Sequence, residues 1–172
     1  MVNLSSFIHF HAQRTPDKTA LTYRGERISY AQFLSRIESL GAWLSKQGVG
    51  PGDVVAVLMK NSSAFLEIAF ATSHVGAVLL PVNYRLSQEE VTYIVGDAGA
   101  RLLLVDDDLL SRAGGAERIV TINEAEIQAA MRHYFTDTHN VAEGAGAAAA
   151  QLGADRPCAA RLRDLARPAR PQ

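Results

Sequence analysis

Three short runs, almost wholly apolar, constrain this chain more than any other feature: Val54-Val55-Ala56-Val57-Leu58-Met59, Val78-Leu79-Leu80-Pro81 and Arg101-Leu102-Leu103-Leu104-Val105. Each is too short for a stable helix and is bounded by Gly, Pro, Asn or Asp. Unbroken apolarity over four to six residues predicts strands buried on both faces. Helical patterns lie between them, so the strands can share one sheet only through crossover connections. The expected architecture is α/β: β-α-β-α-β with a mostly parallel sheet, right-handed crossovers and flanking helices.

The punctuation around these runs is consistent. Thr19-Ala-Leu-Thr-Tyr23 and Arg27-Ile-Ser29 flank Arg24-Gly25-Glu26, two β-type runs about a glycine turn, which predicts a small hairpin ahead of the sheet. Ser29 and Gln32 are spaced as a capping box, placing a helix start at Tyr30. Phe33, Ile37, Leu40 and Leu44 then form one apolar stripe, and Gly48, Gly50, Pro51 and Gly52 end it. Asn61 or Ser62 caps the next helix, which runs through Phe65, Ile68, Ala69 and Thr72 to Gly76. Ser87 with Glu90 repeats the capping box before a helix through Val91, Tyr93 and Ile94 that stops near Gly99.

Beyond Asp108 the character changes. Arg118-Ile-Val-Thr-Ile122 reads as a strand and Ile127, Ala130, Met131 and Tyr134 as a helix, followed by an alanine-rich stretch from Glu143 to Ala150. Ala, Arg and Pro dominate residues 151–172, with too few large aliphatics to offset the entropy of ordering, which predicts a disordered tail. Three segments are therefore expected, over residues 1–112, 113–150 and 151–172.

With 17 Lys and Arg against 18 Asp and Glu the net charge is −1, which gives no electrostatic basis for binding nucleic acid. The single cysteine, Cys158, cannot close an internal disulfide, and a reducing compartment is the default. No run approaches the roughly 20 apolar residues of a membrane span. His9, His11, Gln13, Arg14 and Asp17 interrupt any signal-peptide core. A cytoplasmic location follows as the expectation.

Several patterns invite sharper readings. Gly144-Ala-Gly146-Ala-Ala-Ala149 fits the dinucleotide-binding pattern but lacks a preceding strand, and small-residue helix packing explains it better. His9, His11, His74, His133 and His139 include no pair at helical ligand spacing, so no metal site is assigned. Asp106-Asp107-Asp108 after a strand reads as a solvated turn rather than an ion site. Cys158 has no neighbouring imidazole and reads as a chance thiol, although Arg156 and Arg161 could lower its pKa slightly.

Four ordered blocks carry a family resemblance. These are the opening helix ending at Thr15-Pro16-Asp17-Lys18-Thr19-Ala20; Arg27-Ile28-Ser29-Tyr30; Gly50-Pro51-Gly52-Asp53-Val54-Val55-Ala56; and Gly76-Ala77-Val78-Leu79-Leu80-Pro81-Val82-Asn83-Tyr84-Arg85-Leu86 with Glu89-Glu90-Val91-Thr92-Tyr93-Ile94. Through them, residues about 4–110 resemble the N-terminal part of the ATP-dependent adenylate-forming ligases, the AMP-binding acyl-CoA synthetases among them. The resemblance implies ATP, Mg²⁺, a carboxylic acid and coenzyme A: an acyl-adenylate forms with loss of pyrophosphate, and the thiol then displaces AMP. It also implies that Asn83-Tyr84-Arg85-Leu86 belongs to the scaffold beside the acyl site.

The family chemistry needs a Ser/Thr/Gly-rich phosphate loop with a lysine, an acidic ribose-binding residue and a lysine on a mobile C-terminal domain. The last lysine of this sequence is Lys60, and no Ser/Thr/Gly cluster precedes a lysine. No catalytic, cofactor-binding or metal-binding residue is therefore assigned, and the chain is expected to be an inactive fragment of a carboxylate–CoA ligase with no cofactor of its own. Its open sheet edge is expected to drive self-association.

A second resemblance covers residues about 114–150. Ala116-Glu117-Arg118-Ile-Val-Thr121 and the run from Ala130 through His139-Asn140-Val141-Ala142-Glu143-Gly144 to Ala148 are similar to part of a pyridoxal-phosphate-dependent threonine dehydratase. The resemblance implies a helix opened by Glu143 near the cofactor ring, while the family's Schiff-base lysine and phosphate loop lie outside the matching stretch. A lyase-derived chain, and a non-catalytic chimeric or interaction product, stand as the alternatives to the ligase reading.

Overall fold

The computed structural model describes residues 3–122. The expected helix of Ile127 to Tyr134, the dehydratase-like stretch beyond Ile122, Cys158 and the Ala/Arg/Pro tail lie outside the described residues.

The chain opens with α1 (Leu4–Arg14), whose first turn is capped by the Asn3 side chain accepting from the Ser6 N–H. The hairpin β1 (Thr19–Tyr23) and β2 (Glu26–Ser29) follows. Its two-residue turn places Arg24 at φ 48° and Gly25 at φ 84°, and turns with two left-handed residues match the twist of the flanking strands. Ser29 caps α2 (Tyr30–Lys46): its hydroxyl accepts from the Gln32 N–H while the Gln32 side chain accepts from the Ser29 N–H. Ser62, rather than Asn61, caps α3 (Ser63–His74). Ser87 and Glu90 form the box that opens α4 (Gln88–Asp97).

The strands β3 (Val54–Leu58), β4 (Val78–Pro81), β5 (Ala100–Asp106) and β6 (Arg118–Ile122) form one sheet in the order β4-β3-β5-β6, with every neighbouring pair parallel. A six-residue 3₁₀ helix, η1 (Asp107–Arg112), leads from β5 towards β6. From β3 the chain first moves outward to β4, then crosses back over β3 to β5. With right-handed crossovers, this reversal puts the intervening helices on opposite faces of the sheet.

The alternating side chains of β3 and β5 record that arrangement. Val55, Val57, Leu102 and Leu104 pack with Ile37 and Leu44 of α2, Ile68 of α3, Ile8 of α1 and Ile28 of the hairpin. On the other face, Ala56, Leu58, Leu103 and Val105 pack with Val91 and Val95 of α4 and Leu109 of η1.

One expectation is corrected. Val78–Pro81 is a strand but not a buried one: among the described residues it is the sheet's edge, and Val78 is 51% exposed. Four apolar residues cannot reveal strand order, and an edge strand of this length looks the same in sequence as a central one. The strand expected at Arg118–Ile122 is present as β6 and pairs with β5 from Leu102↔Arg118 to Asp106↔Ile122.

Candidate functional site

In open parallel sheets, ligands lie in the crevice outside the carboxyl ends of the strands, where the strand order reverses. Here that place is between the ends of β3 and β5. Three segments meet around it: Met59–Ser62 after β3, the turn 82–87 after β4, and Asp106 with η1 after β5.

Asp107 and Asp108 are exposed, as expected of a solvated run, while Asp106 and Asp108 also reach Lys60 just after β3. The Lys60 backbone N–H donates to Asp106 Oδ2 at 2.9 Å, and the Lys60 ammonium pairs with the Asp108 carboxylate. The hydrogen bond to Asp108, and then its charge, raise the Lys60 pKa above its ordinary value. Partial burial pushes the Asp106 carboxyl up, only partly offset by the bond from the Lys60 N–H. The single aspartate run thus divides its work, one carboxylate accepting from a backbone N–H across the crevice and another neutralising the cation above it.

The Asn83–Leu86 turn is shaped by its own asparagine. Asn83 Oδ1 accepts from the Arg85 N–H at 3.0 Å, and the Asn83 carbonyl accepts from the Leu86 N–H at 3.1 Å. From η1, Arg112 reaches over and donates to the Tyr84 carbonyl at 2.5 Å and the Leu86 carbonyl at 3.4 Å. Arg85 is exposed, its guanidinium 5.7 Å from the centre of the Tyr84 ring. Beside the turn, Leu86, Glu89, Glu90, Tyr93 and Ile94 line a shallow depression of about 460 Å³. Glu90 is occupied in the helix cap, and the bond from the Ser87 N–H holds its carboxyl below the usual range.

Chemically, this crest presents a preformed polar turn and a self-neutralised lysine. Among the described residues, no group of three or more His, Cys, Asp or Glu side chains could hold a metal ion. His9, His11 and His74 are not at the crest. His11 stacks on Tyr30, and His74 Nδ1 lies 3.1 Å from the Ser5 hydroxyl where α1 meets α3. The contribution of Lys60, Asp106, Asp108 and Arg112 was missed in sequence. Its one available signal was that a charged residue immediately follows two of the three apolar runs, Lys60 after Met59 and Asp106 after Val105.

A family model described as AMP-binding enzyme matches residues 8–166. Among curated proteins, the chain is 35% identical over 133 residues to a fatty acid–[acyl-carrier-protein] ligase, ScoC, of Streptomyces coeruleorubidus, covering 74% of this chain and 26% of that protein. It is 34% identical over 121 residues to a feruloyl-CoA synthase of an Amycolatopsis species, covering 69% and 25%. Among solved structures, a fatty acyl CoA synthetase of Mycobacterium tuberculosis superposes with a TM-score of 0.67 at 26% identity, over 76% of this chain and 28% of that one. The N-terminal subdomain of NpsA from Klebsiella oxytoca gives a TM-score of 0.66 at 28% identity, over 73% and 31%. The chain thus spans about a quarter of the length of these curated relatives. No helix among the described residues is long and apolar enough to cross a membrane.

Proposed function

The chain belongs to the AMP-binding enzyme family, and from that premise we propose that it is the N-terminal sheet unit of an ATP-dependent carboxylate–CoA ligase of the fatty acyl-CoA synthetase type, unable to activate a carboxylate by itself. One observation carries this reading: the chain covers 26% of a fatty acid–[acyl-carrier-protein] ligase, and its sequence includes no Ser/Thr/Gly-rich cluster leading into a lysine.

Adenylate formation needs the triphosphate held in line with the attacking carboxylate and its developing charge neutralised, which together account for most of the acceleration in such transfers. Lys60 supplies neither service, because its ammonium is already paired with Asp108. We assign no catalytic, nucleotide-binding or metal-binding role to any residue. ATP and Mg²⁺ would be held, and coenzyme A would react, on parts of the family enzyme that this sequence does not carry. The chain's own contribution is positional: Arg112 and Asn83 fix the turn 83–86 beside the place where the acyl group would sit.

The same reading places the protein in fatty-acid metabolism in the cytoplasm, with self-association through an open sheet edge. The segmentation at residues 112 and 150, and a dehydratase ancestry for residues 114–150, are separate proposals. Pyrophosphate exchange with purified protein and a panel of fatty and aromatic acids is expected to stay at background. Exchange well above background, dependent on one of the acids, would overturn the inactive-unit reading.

A further inference from the structure

Among the described residues, η1 is held at both ends by its neighbours rather than by itself. It has six residues, whereas 3₁₀ runs longer than three or four are uncommon because their hydrogen bonds are poorly aligned. Asp106 stands at its N-cap position with extended backbone, φ −60° and ψ 141°, where an aspartate ordinarily accepts from the second or third N–H of the helix. Here its side chain makes no capping bond. Its Oδ2 accepts instead from the Lys60 N–H just beyond β3, and Asp108 in the first turn pairs with the Lys60 ammonium.

The far end repeats the pattern on another loop. Arg112, the last residue of η1, donates to the Tyr84 and Leu86 carbonyls of the turn after β4. Between the two ends Leu109 is buried, in the cluster that includes Val91 and Val95 of α4, while Leu110 is exposed. The exit of β3 and the turn after β4 thus grip the same six residues, each from one end.

We propose that η1 is a strap with two states, which couples the exit of β3 to the turn 83–86. In the docked state, which the structure shows, Asp106 accepts from Lys60 and Arg112 holds the turn. In the released state the Asp106 carboxylate turns in to cap η1 through the N–H of Asp108 or Leu109, and Arg112 leaves the two carbonyls. Leu109 is the pivot. Each protein hydrogen bond lost is replaced by another or by one to water, so the two states stay close in free energy. The ligase reading adds only a consequence: a turn beside the acyl site would then be set by the partner that Asp106 holds.

Amide exchange by NMR on the full chain reads the two ends separately. The Arg85 and Leu86 N–H groups, both bonded to Asn83, report the turn, and the Lys60 N–H reports the exit of β3. Asp106→Ser is too short to reach Lys60 in the same way but is a good cap for η1, and it should speed exchange at Arg85 and Leu86. Arg112→Ala should speed exchange at Lys60. Each effect should be at least about fivefold, the lower end of ordinary coupling between sites. In the double variant, Lys60 should exchange as in Asp106→Ser alone and the turn as in Arg112→Ala alone. Unchanged protection in α2 and β5 marks a folded variant. Arg112→Lys, which keeps a cation without the planar fork, replaces an alanine variant that does not fold, and either end tests the coupling if the other variant is lost. Turn amides that ignore residue 106, or a Lys60 amide that ignores residue 112, would overturn the strap, because coupling between two ends is reciprocal. That outcome would leave the ligase reading standing, whereas coupling found in a protein that activates carboxylates would keep the strap and remove only the inactive-unit reading.

Discussion

Arg36 and Glu67 illustrate how much a single pair can decide. Glu67 is polar in a helix whose neighbours Ile68, Ala71 and Thr72 are all buried, and its side chain is 3% exposed. Arg36 donates to it at 3.0 Å and to the exposed Glu26 at 3.2 Å, joining α3, α2 and the hairpin. Arg36 therefore contributes two charge-assisted hydrogen bonds that hold three elements together, each stronger than a neutral bond. Arg36→Ala is expected to cost about 2 kcal/mol through loss of these bonds, measured by urea denaturation; an unchanged stability would mean that the three elements are held together without Arg36. Nothing in the sequence pairs these residues, which lie 31 positions apart. The same holds for Lys60 and Asp108, so the crest's ion pair was not legible, whereas the chemistry of its individual residues was. The three lysines, Lys18, Lys46 and Lys60, all precede the dehydratase-like segment. Borohydride trapping with pyridoxal phosphate followed by mass spectrometry is therefore expected to label none of them specifically; a single strongly labelled lysine would show a formed aldimine pocket.

Local chemistry fixes the elements more directly. Both capping boxes were legible because they need only four consecutive residues, and Ser29→Ala is expected to cost about 1 kcal/mol of stability by thermal or urea unfolding. What four residues cannot tell is strand order, which is why β4 read as buried. The Gly114–Gly115 approach was hidden for a similar reason. Gly115 has φ 81°, and a Cβ there would fall on the Thr92 carbonyl and within 2.9 Å of the Gly96 N, pressing on α4 from a segment about 20 residues away in sequence. Two carboxyls make the elements respond to acid in opposite senses. Glu90 is held below its unfolded value, so its contribution is complete above that value, near pH 4.5, and is lost as pH falls through the lowered folded pKa. Asp106 is held above its unfolded value, so folding is disfavoured as pH rises from about 3.8 through the raised folded pKa. Glu90→Gln should flatten the acid-side loss of stability. Asp106→Asn, which keeps an oxygen for the Lys60 N–H, should remove the opposing slope and leave neutral-pH stability equal or higher. Urea midpoints across pH 3–7 would check both; a less stable Asp106→Asn at neutral pH would show that its charge is needed beside Lys60.

At the scale of residues 3–122, the sheet is covered unequally. One face of β3 and β5 carries α1, α2, α3 and the hairpin, a cluster built on Phe33, Ile37, Leu44 and Ile68. The other carries, among the described residues, α4 and η1, with Val91, Val95 and Leu109 as their buried contributions. Parallel sheets hold together only while both faces stay covered, so the thinner layer should set the lowest-energy opening of the structure. Local opening follows from few buried apolar contacts and many solvent-facing backbone bonds. Here α4 is ten residues long, keeps Tyr93 72% exposed, and is tied down mainly through Val91, Val95 and the close approach of Gly114 and Gly115. Amide exchange is therefore expected in a definite order: α4 and η1 first, the outward-facing amides of the sheet edges next, α2 and α3 later, and the interior of β3 and β5 last. Val95→Ala deletes buried methyl groups from the thin layer. It should speed exchange in α4, η1 and the facing residues Ala56, Leu58, Leu103 and Val105 together, while α2 and α3 keep their protection. Exchange of α4 in step with α2, in the parent and in Val95→Ala alike, would mean that the two layers open as one cooperative unit despite the difference in their cover.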